Sequence, residues 1–183
     1  MDTINGRRSV RNFTPQKVPA ELIRELIKAA VQAPSAMNSQ PWSFVIIQDA
    51  TLLKNYSDQA KQILLANLDQ QPLLAKYRAT LANPDYNIFY NAGTLLIIYA
   101  RPAGPHPLGD CSLAAQNIML TAHARGLGTC WIGFAVALLD TPAIKRSLNI
   151  PAEYTAVAPL IVGFPQFLPP AVPRNDPEIL AWK

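Results

Sequence analysis

The segment from Asp110 to Arg125 carries apolar residues around most of a helical circumference, and this does most to limit what the chain can fold into. Leu113, Ala114, Ala115, Ile118, Met119, Leu120 and Ala122 recur at helical spacing without keeping to one stripe. A helix on the surface of a globular protein shows a single apolar face, so this one requires cover on more than one side. A subunit interface would supply the second cover. Asp110 is placed to cap the helix, and Gly126 stands where a left-handed residue commonly ends one.

The elements around it read as a mixture of helices and strands. Leu22, Ile23, Leu26, Ile27 and Ala30 predict an amphipathic helix over Pro19 to Val31, stopped by Pro34. A second helical pattern runs from Thr51 to about Leu68, and Asp140-Thr141-Pro142 opens a short third one. Ser43 to Ile47, Gly93 to Ala100 and Thr155 to Gly163 are short apolar runs of strand character, the second of them the best candidate for full burial. Gln70 to Tyr90 mixes Pro72, Pro84 and three tyrosines and predicts an irregular pocket wall. From Pro165 onward, five prolines exclude regular helix, yet Phe167, Leu168, Ile179 and Trp182 argue against a free end. An extended arm lying on another surface satisfies both.

Composition narrows the class. The 183 residues suit one domain over 1–183, and 50% hydrophobic against 15% charged residues excludes a disordered chain. No apolar run reaches the roughly 20 residues of a membrane span, and the N-terminus lacks a secretory pattern. Cys111 and Cys130 make no disulfide framework, which points to the cytoplasm. The net charge of +4 is scattered apart from one cluster, so no nucleic-acid face is expected. His106 and His123 have no metal-ligand spacing, and no GxSxG, P-loop or HExxH occurs.

Two stretches carry chemistry. Ala33-Pro34-Ser35-Ala36-Met37-Asn38-Ser39-Gln40-Pro41-Trp42 is too rigid for a linker and too polar for a core, and its amides and hydroxyls suit the edge of a planar heteroaromatic ring. Arg7-Arg8-Ser9-Val10-Arg11-Asn12-Phe13 places three guanidinium groups and a hydroxyl within five residues, a composition suited to an anion. Pro41 and Trp42 read as core residues. Gly126 to Gly133 is not a dinucleotide loop, because it follows a helix and lacks GxGxxG spacing. A lone Cys130 reads as a small buried hydrophobe rather than a redox thiol.

These two stretches resemble the nitroreductase family of flavin mononucleotide (FMN) enzymes. The resemblance continues through Asp110-Cys111-Ser112-Leu113-Ala114-Ala115-Gln116-Asn117, Gly126-Leu127-Gly128-Thr129-Cys130-Trp131-Ile132-Gly133, Val162-Gly163-Phe164-Pro165 and Pro173-Arg174. It implies an α+β fold with a small, mainly antiparallel sheet of four or five strands flanked by helices, in an intertwined homodimer. Residues 165–183 would form an arm reaching the partner subunit. The resemblance puts Arg7, Ser9 and Arg174 at the phosphate and ribityl chain and Arg11 nearer the pyrimidine edge; Arg8 can join the phosphate contacts.

Pro34, Ser35, Ala36, Asn38 and Gln40 would touch the ring and ribityl chain from the second subunit. Cys130, Trp131, Ile132 and Gly133 would bring the backbone against the flavin. Tyr86 and Phe89, with Tyr90, are candidates for the substrate pocket, with core packing as their alternative. The implied activity is ping-pong hydride transfer from NADH or NADPH to a flat nitroaromatic or quinone, without a catalytic side chain. A flavin-storing or sensing module, a dehalogenase and a flavin-destroying relative are the alternatives.

Overall fold

The computed structural model describes residues 1–183. In chain order its helices are α1 (Asp2–Gly6), α2 (Ala20–Ala30), α3 (Ala50–Ala66), α4 (Arg78–Ala82), α5 (Pro107–Ala124), α6 (Val136–Leu139) and α7 (Pro142–Ser147). The strands are β1 (Trp42–Ile47), β2 (Thr94–Ala100), β3 (Gly128–Trp131) and β4 (Thr155–Gly163). They form one antiparallel sheet in the order β1-β2-β4-β3.

Every residue of β2 is buried, because the sheet is covered on both sides. Its alternation divides the core. Leu95, Ile97 and Tyr99 join Leu53, Tyr56 and Ala60 of α3 on one face. Leu96, Ile98 and Ala100 meet Leu26 and Ala30 of α2 and Ala114, Ala115 and Ile118 of α5 on the other. The fold is therefore α+β, with the small antiparallel sheet flanked by helices. Helix α5 is buried on its sheet side, while Leu108 and Leu113 stay 53% and 47% exposed. Its second apolar side has no cover within one chain.

The structure changes two sequence readings and gives detail to the irregular segment expected from Gln70 to Tyr90. Asp110 does not cap α5, which starts at Pro107. Residues 128–131, for which no strand is expected and whose Cys130 and Trp131 belong to the close-approach stretch Cys130–Gly133, form β3, so Thr155–Gly163 is the fourth strand rather than the third. Between Leu68 and Ala82 the chain makes two 3-10 turns (Leu68–Gln70 and Pro72–Tyr77) before α4.

The N-terminal strip lies along the sheet edge. Ser9 bridges Thr129, and the Val10 N–H donates to the Thr129 carbonyl at 2.9 Å. Further on, Phe13 bridges Pro165 and the Thr14 N–H donates to the Phe164 carbonyl at 2.8 Å. Two glycines permit this approach: a Cβ on Gly128 would lie 2.7 Å from Val10, and one on Gly163 2.7 Å from Phe13. Close packing here sets where Arg7, Arg8 and Arg11 point. No helix is long and apolar enough to cross a membrane.

Candidate functional site

Two cavities meet at Arg11. The larger, about 640 Å³, is lined by Arg7, Arg8, Ser9 and Arg11 from the strip, Ile4 and Asn5 of α1, Gln116 of α5, and Pro169–Val172 and Arg174 of the arm. The arm thus brings Arg174 back to the arginine cluster of its own chain. Arg8 is held by donation to the Asn5 and Arg7 carbonyls at 2.6 and 3.0 Å, yet its buried Nε has no partner. Four guanidinium groups with no carboxylate among the lining residues suit an anion, and an unpaired buried donor is a cost that an anionic ligand would remove.

The smaller cavity, about 350 Å³, is rich in aromatic residues. Arg11, Tyr77, Thr80, Tyr86, Ile88, Tyr90 and the continuous stretch Cys130–Phe134 line it. Tyr77 and Phe134 pack edge to face at 5.3 Å. Ile88, like its neighbour Phe89, is fully buried, but only Ile88 reaches the cavity. Phe89, expected at the substrate pocket with core packing as its alternative, takes the alternative: it packs in the core with Leu95 and Ile97 and does not line the cavity. Tyr86 does line the cavity, and burial holds its hydroxyl protonated well beyond the usual tyrosine range. Buried Lys61 fixes this wall by donating to the Tyr86, Asn83 and Pro84 carbonyls at 2.8, 3.1 and 3.4 Å.

Cys130 is buried at the back of this cavity. Burial pushes its thiol up, against the opposing pull of Arg11, Ser9 and Arg7. Gly133 leaves open space where a Cβ would stand.

Pro34, Ser35, Ala36, Asn38 and Gln40 line neither cavity of the same chain. Their loop is nonetheless built with care. Met37, Asn38 and Gln40 hold φ of 55°, 53° and 45°, a region that side chains disfavour. Asp110, 5% exposed, accepts from the Ala36 N–H at 3.2 Å and from the Ser39 hydroxyl at 3.4 Å. Ser35 Oγ accepts from the Gln40 N–H at 3.0 Å, and Arg101 donates to the Gln40 carbonyl at 2.7 Å. Met37 at the tip is 90% exposed.

Sequence reading missed Gln116, Tyr77, Thr80 and Phe134 as lining residues and Asp110, Lys61 and Arg101 as supports. Gln116 had a signal, a polar residue inside an apolar helix. The aromatic residues had none, because their approach depends on how the irregular segment folds back.

Four guanidinium groups in one cavity and an aromatic cavity that shares Arg11 with it, on a four-stranded antiparallel sheet between helices, suit a ligand with an anionic end and an apolar ring. The chain belongs to the nitroreductase family, whose model matches residues 4–164. A nitroreductase with bound FMN from Bacteroides fragilis superposes with a TM-score of 0.85 at 26% identity, covering 100% of this chain and 97% of that one. A Methanothermobacter thermautotrophicus protein, provisionally named NADH dehydrogenase/NAD(P)H nitroreductase, is 27% identical over 178 residues, 97% of this chain and 83% of the relative. The iodotyrosine deiodinase of Thermotoga neapolitana is 27% identical over 180 residues, 96% of this chain and 93% of the relative.

Proposed function

We propose that this protein is an FMN-dependent oxidoreductase that draws reducing equivalents from NADH or NADPH and passes them to a flat acceptor such as a nitroaromatic or quinone. The observation that carries the reading is the pair of cavities joined at Arg11, one anionic in its preference and one aromatic. The residues present fit FMN: an unpaired buried Arg8 Nε awaits an acceptor, Arg7, Arg8 and Arg174 match a phosphate dianion, and the aromatic cavity on the other side of Arg11 matches a ring. In this reading the whole of 1–183 is one flavin-binding unit with residues 165–183 as its arm.

Bound there, FMN supplies two-electron hydride chemistry in a ping-pong cycle. The protein supplies position and charge. Arg7, Arg8, Ser9 and Arg174 hold the phosphate end, and Arg11 sets a positive charge at the ring end, where negative charge grows on reduction. The backbone of Cys130 to Gly133 forms the floor, and Tyr77, Tyr86 and Phe134 shape the space for a planar reactant. The cavity holds no carboxylate, histidine or lysine, and this reading gives its tyrosines a shaping role with no acid–base step. The Ser35–Gln40 loop of a second subunit completes the site in a homodimer, which accounts for a strained, exposed loop that lines nothing in its own chain. The uncovered side of α5 supports the same assembly.

Purified protein reconstituted with FMN should bleach on anaerobic addition of NADH or NADPH, and a nitroaromatic should restore the yellow colour. Protein that takes up no FMN would refute the cofactor assignment. Bound FMN that stays oxidised would refute the nicotinamide donor and favour a binding module.

A further inference from the structure

Arg11 is the residue the two cavities share, yet little holds its side chain. It takes part in no ion pair, and its one hydrogen bond is a long donation of 3.5 Å to the Ser9 carbonyl. What it rests on is an aromatic face: the guanidinium carbon lies 5.7 Å from the centre of the Tyr90 ring, within cation–π range. A free arginine has ample rotamer freedom, so a surface that selects one arrangement matters for where the charge sits.

Tyr90 is itself held from two directions. Its backbone is left-handed, with φ of 53° followed by 54° at Asn91. A non-glycine pair in that region costs free energy and persists only where surrounding structure enforces it. Asn91 is braced by donation from the Asn87 side chain at 3.0 Å. The Tyr90 hydroxyl accepts from the Tyr86 hydroxyl at 3.1 Å, the two rings standing edge to face at 5.9 Å. Tyr86 is tied through its carbonyl to buried Lys61 at 2.8 Å. A line of support thus runs from the core through Lys61, Tyr86 and Tyr90 to Arg11.

The geometry points to Tyr90 as the positioning residue for Arg11: its ring face, braced by Tyr86, keeps the guanidinium at the junction of the anion cavity and the aromatic slot. The arrangement is a property of the chain alone. Its electrochemical consequence, that the held charge favours the reduced over the oxidised ring, rests on the FMN reading above.

Two substitutions separate face from hydroxyl. Tyr90→Phe keeps the ring and loses the Tyr86 bond, whereas Tyr90→Leu removes the ring. In the protein as purified, the Arg11 Nε–H signal, assigned by its disappearance in Arg11→Lys, should be shifted upfield by the ring current. It should stay shifted in Tyr90→Phe and move to the free-arginine position in Tyr90→Leu. In the FMN-loaded protein, Tyr90→Leu should weaken the preference for the reduced ring about tenfold, lowering the two-electron midpoint by about 30 mV. Tyr90→Phe should shift it by less than half of that, and Tyr90→Leu should add nothing in an Arg11→Ala background.

An unshifted Arg11 signal in the wild type would overturn the proposal. So would a Tyr90→Leu effect that persists without Arg11, or a Phe variant as impaired as the Leu variant. If Tyr90→Leu does not fold, the wild-type and Phe spectra decide. If the protein holds no FMN, the functional reading fails while the Arg11 signal still tests the positioning.

Discussion

Replacing Asp110 with Ala should loosen the Ser35–Gln40 loop without dismantling the fold. Its carboxylate is the only acceptor for the Ala36 N–H, at 3.2 and 3.3 Å from its two oxygens, and it also accepts from the Ser39 hydroxyl at 3.4 Å. Hydrogen bonds to a charged group contribute about 1.5–3 kcal/mol each, and Ala36 is half-buried, so water recovers part of the loss. Against these bonds stands the strain of Met37, Asn38 and Gln40, each in the left-handed region at about 1–2 kcal/mol. With Asp110 gone, about 2–3 kcal/mol of support disappears from a loop already under strain. Opening should then be local, since Arg101 and Ser35 still hold the Gln40 end. Hydrogen exchange followed by NMR is the direct assay: protection at Ala36 should fall about 30- to 150-fold, the equivalent of that free energy. Core amides of Ile97 and Ile98 should change far less. Asp110→Asn, which keeps an acceptor oxygen and loses the charge, should fall between. Unchanged exchange at Ala36 alongside a lowered urea midpoint would refute the reasoning, because Asp110 would then serve α5 and not the loop.

Other substitutions test the site directly. Arg174→Ala should weaken FMN retention by about tenfold or more, in line with loss of a charged phosphate contact, with little change in reduction rate; Arg11→Ala should do the reverse. Equilibrium fluorescence and stopped-flow absorbance separate the two, and equal losses of both in both variants would contradict the roles. Lys61→Met removes three donations to the pocket wall and should lower stability by about 2–3 kcal/mol while raising the acceptor KM at unchanged FMN content. Burial pushes the Cys111 thiol up to about 12, whereas an unfolded cysteine loses its proton near ~8.5. The native state therefore retains a proton that the unfolded chain has released, and unfolding free energy should decline as pH rises from about 8.5 toward 12. Urea titrations across that range should show a shallower decline in Cys111→Ala.

The parts of this protein legible from sequence are those with a period or a fixed local chemistry. Helix α2 ends one residue from each predicted boundary because its apolar spacing and Pro34 mark both ends. Strand β2 is readable as an unbroken apolar run. The arginine cluster is readable because Arg7, Arg8, Ser9 and Arg11 are adjacent in the chain. What escaped depended on distant partners. Strand β3 has four residues starting at a glycine, and only its pairing with β4 makes it a strand. Asp110 looks like a cap in one dimension, but its partners Ala36 and Ser39 lie 74 and 71 residues away. Phe89 and Tyr90 are neighbours of one chemical kind. The left-handed turn at Tyr90 and Asn91 sends one into the core and the other to the cavity, and no local pattern predicts it.

The same separation has a thermodynamic consequence for assembly. If the Ser35–Gln40 loop serves a site on a second copy, FMN binds the dimer and not the monomer, so cofactor affinity and self-association are linked. Each site filled at FMN one hundred times its Kd stabilises the binding-competent state by about 2.7 kcal/mol, and two sites tighten the dimer by roughly four orders of magnitude. The uncovered Leu108 and Leu113 of α5, and Trp182 of the arm at 89% exposure, are the apolar groups such an interface would bury. Sedimentation of dilute protein should show the dimer shifting toward monomer as FMN is removed, and FMN affinity should fall as total protein is diluted through that transition. Asn38→Ala should weaken FMN binding in the dimer only. FMN affinity that stays constant from dimer to monomer would mean that the site is complete in one chain, and the strained loop would need another explanation.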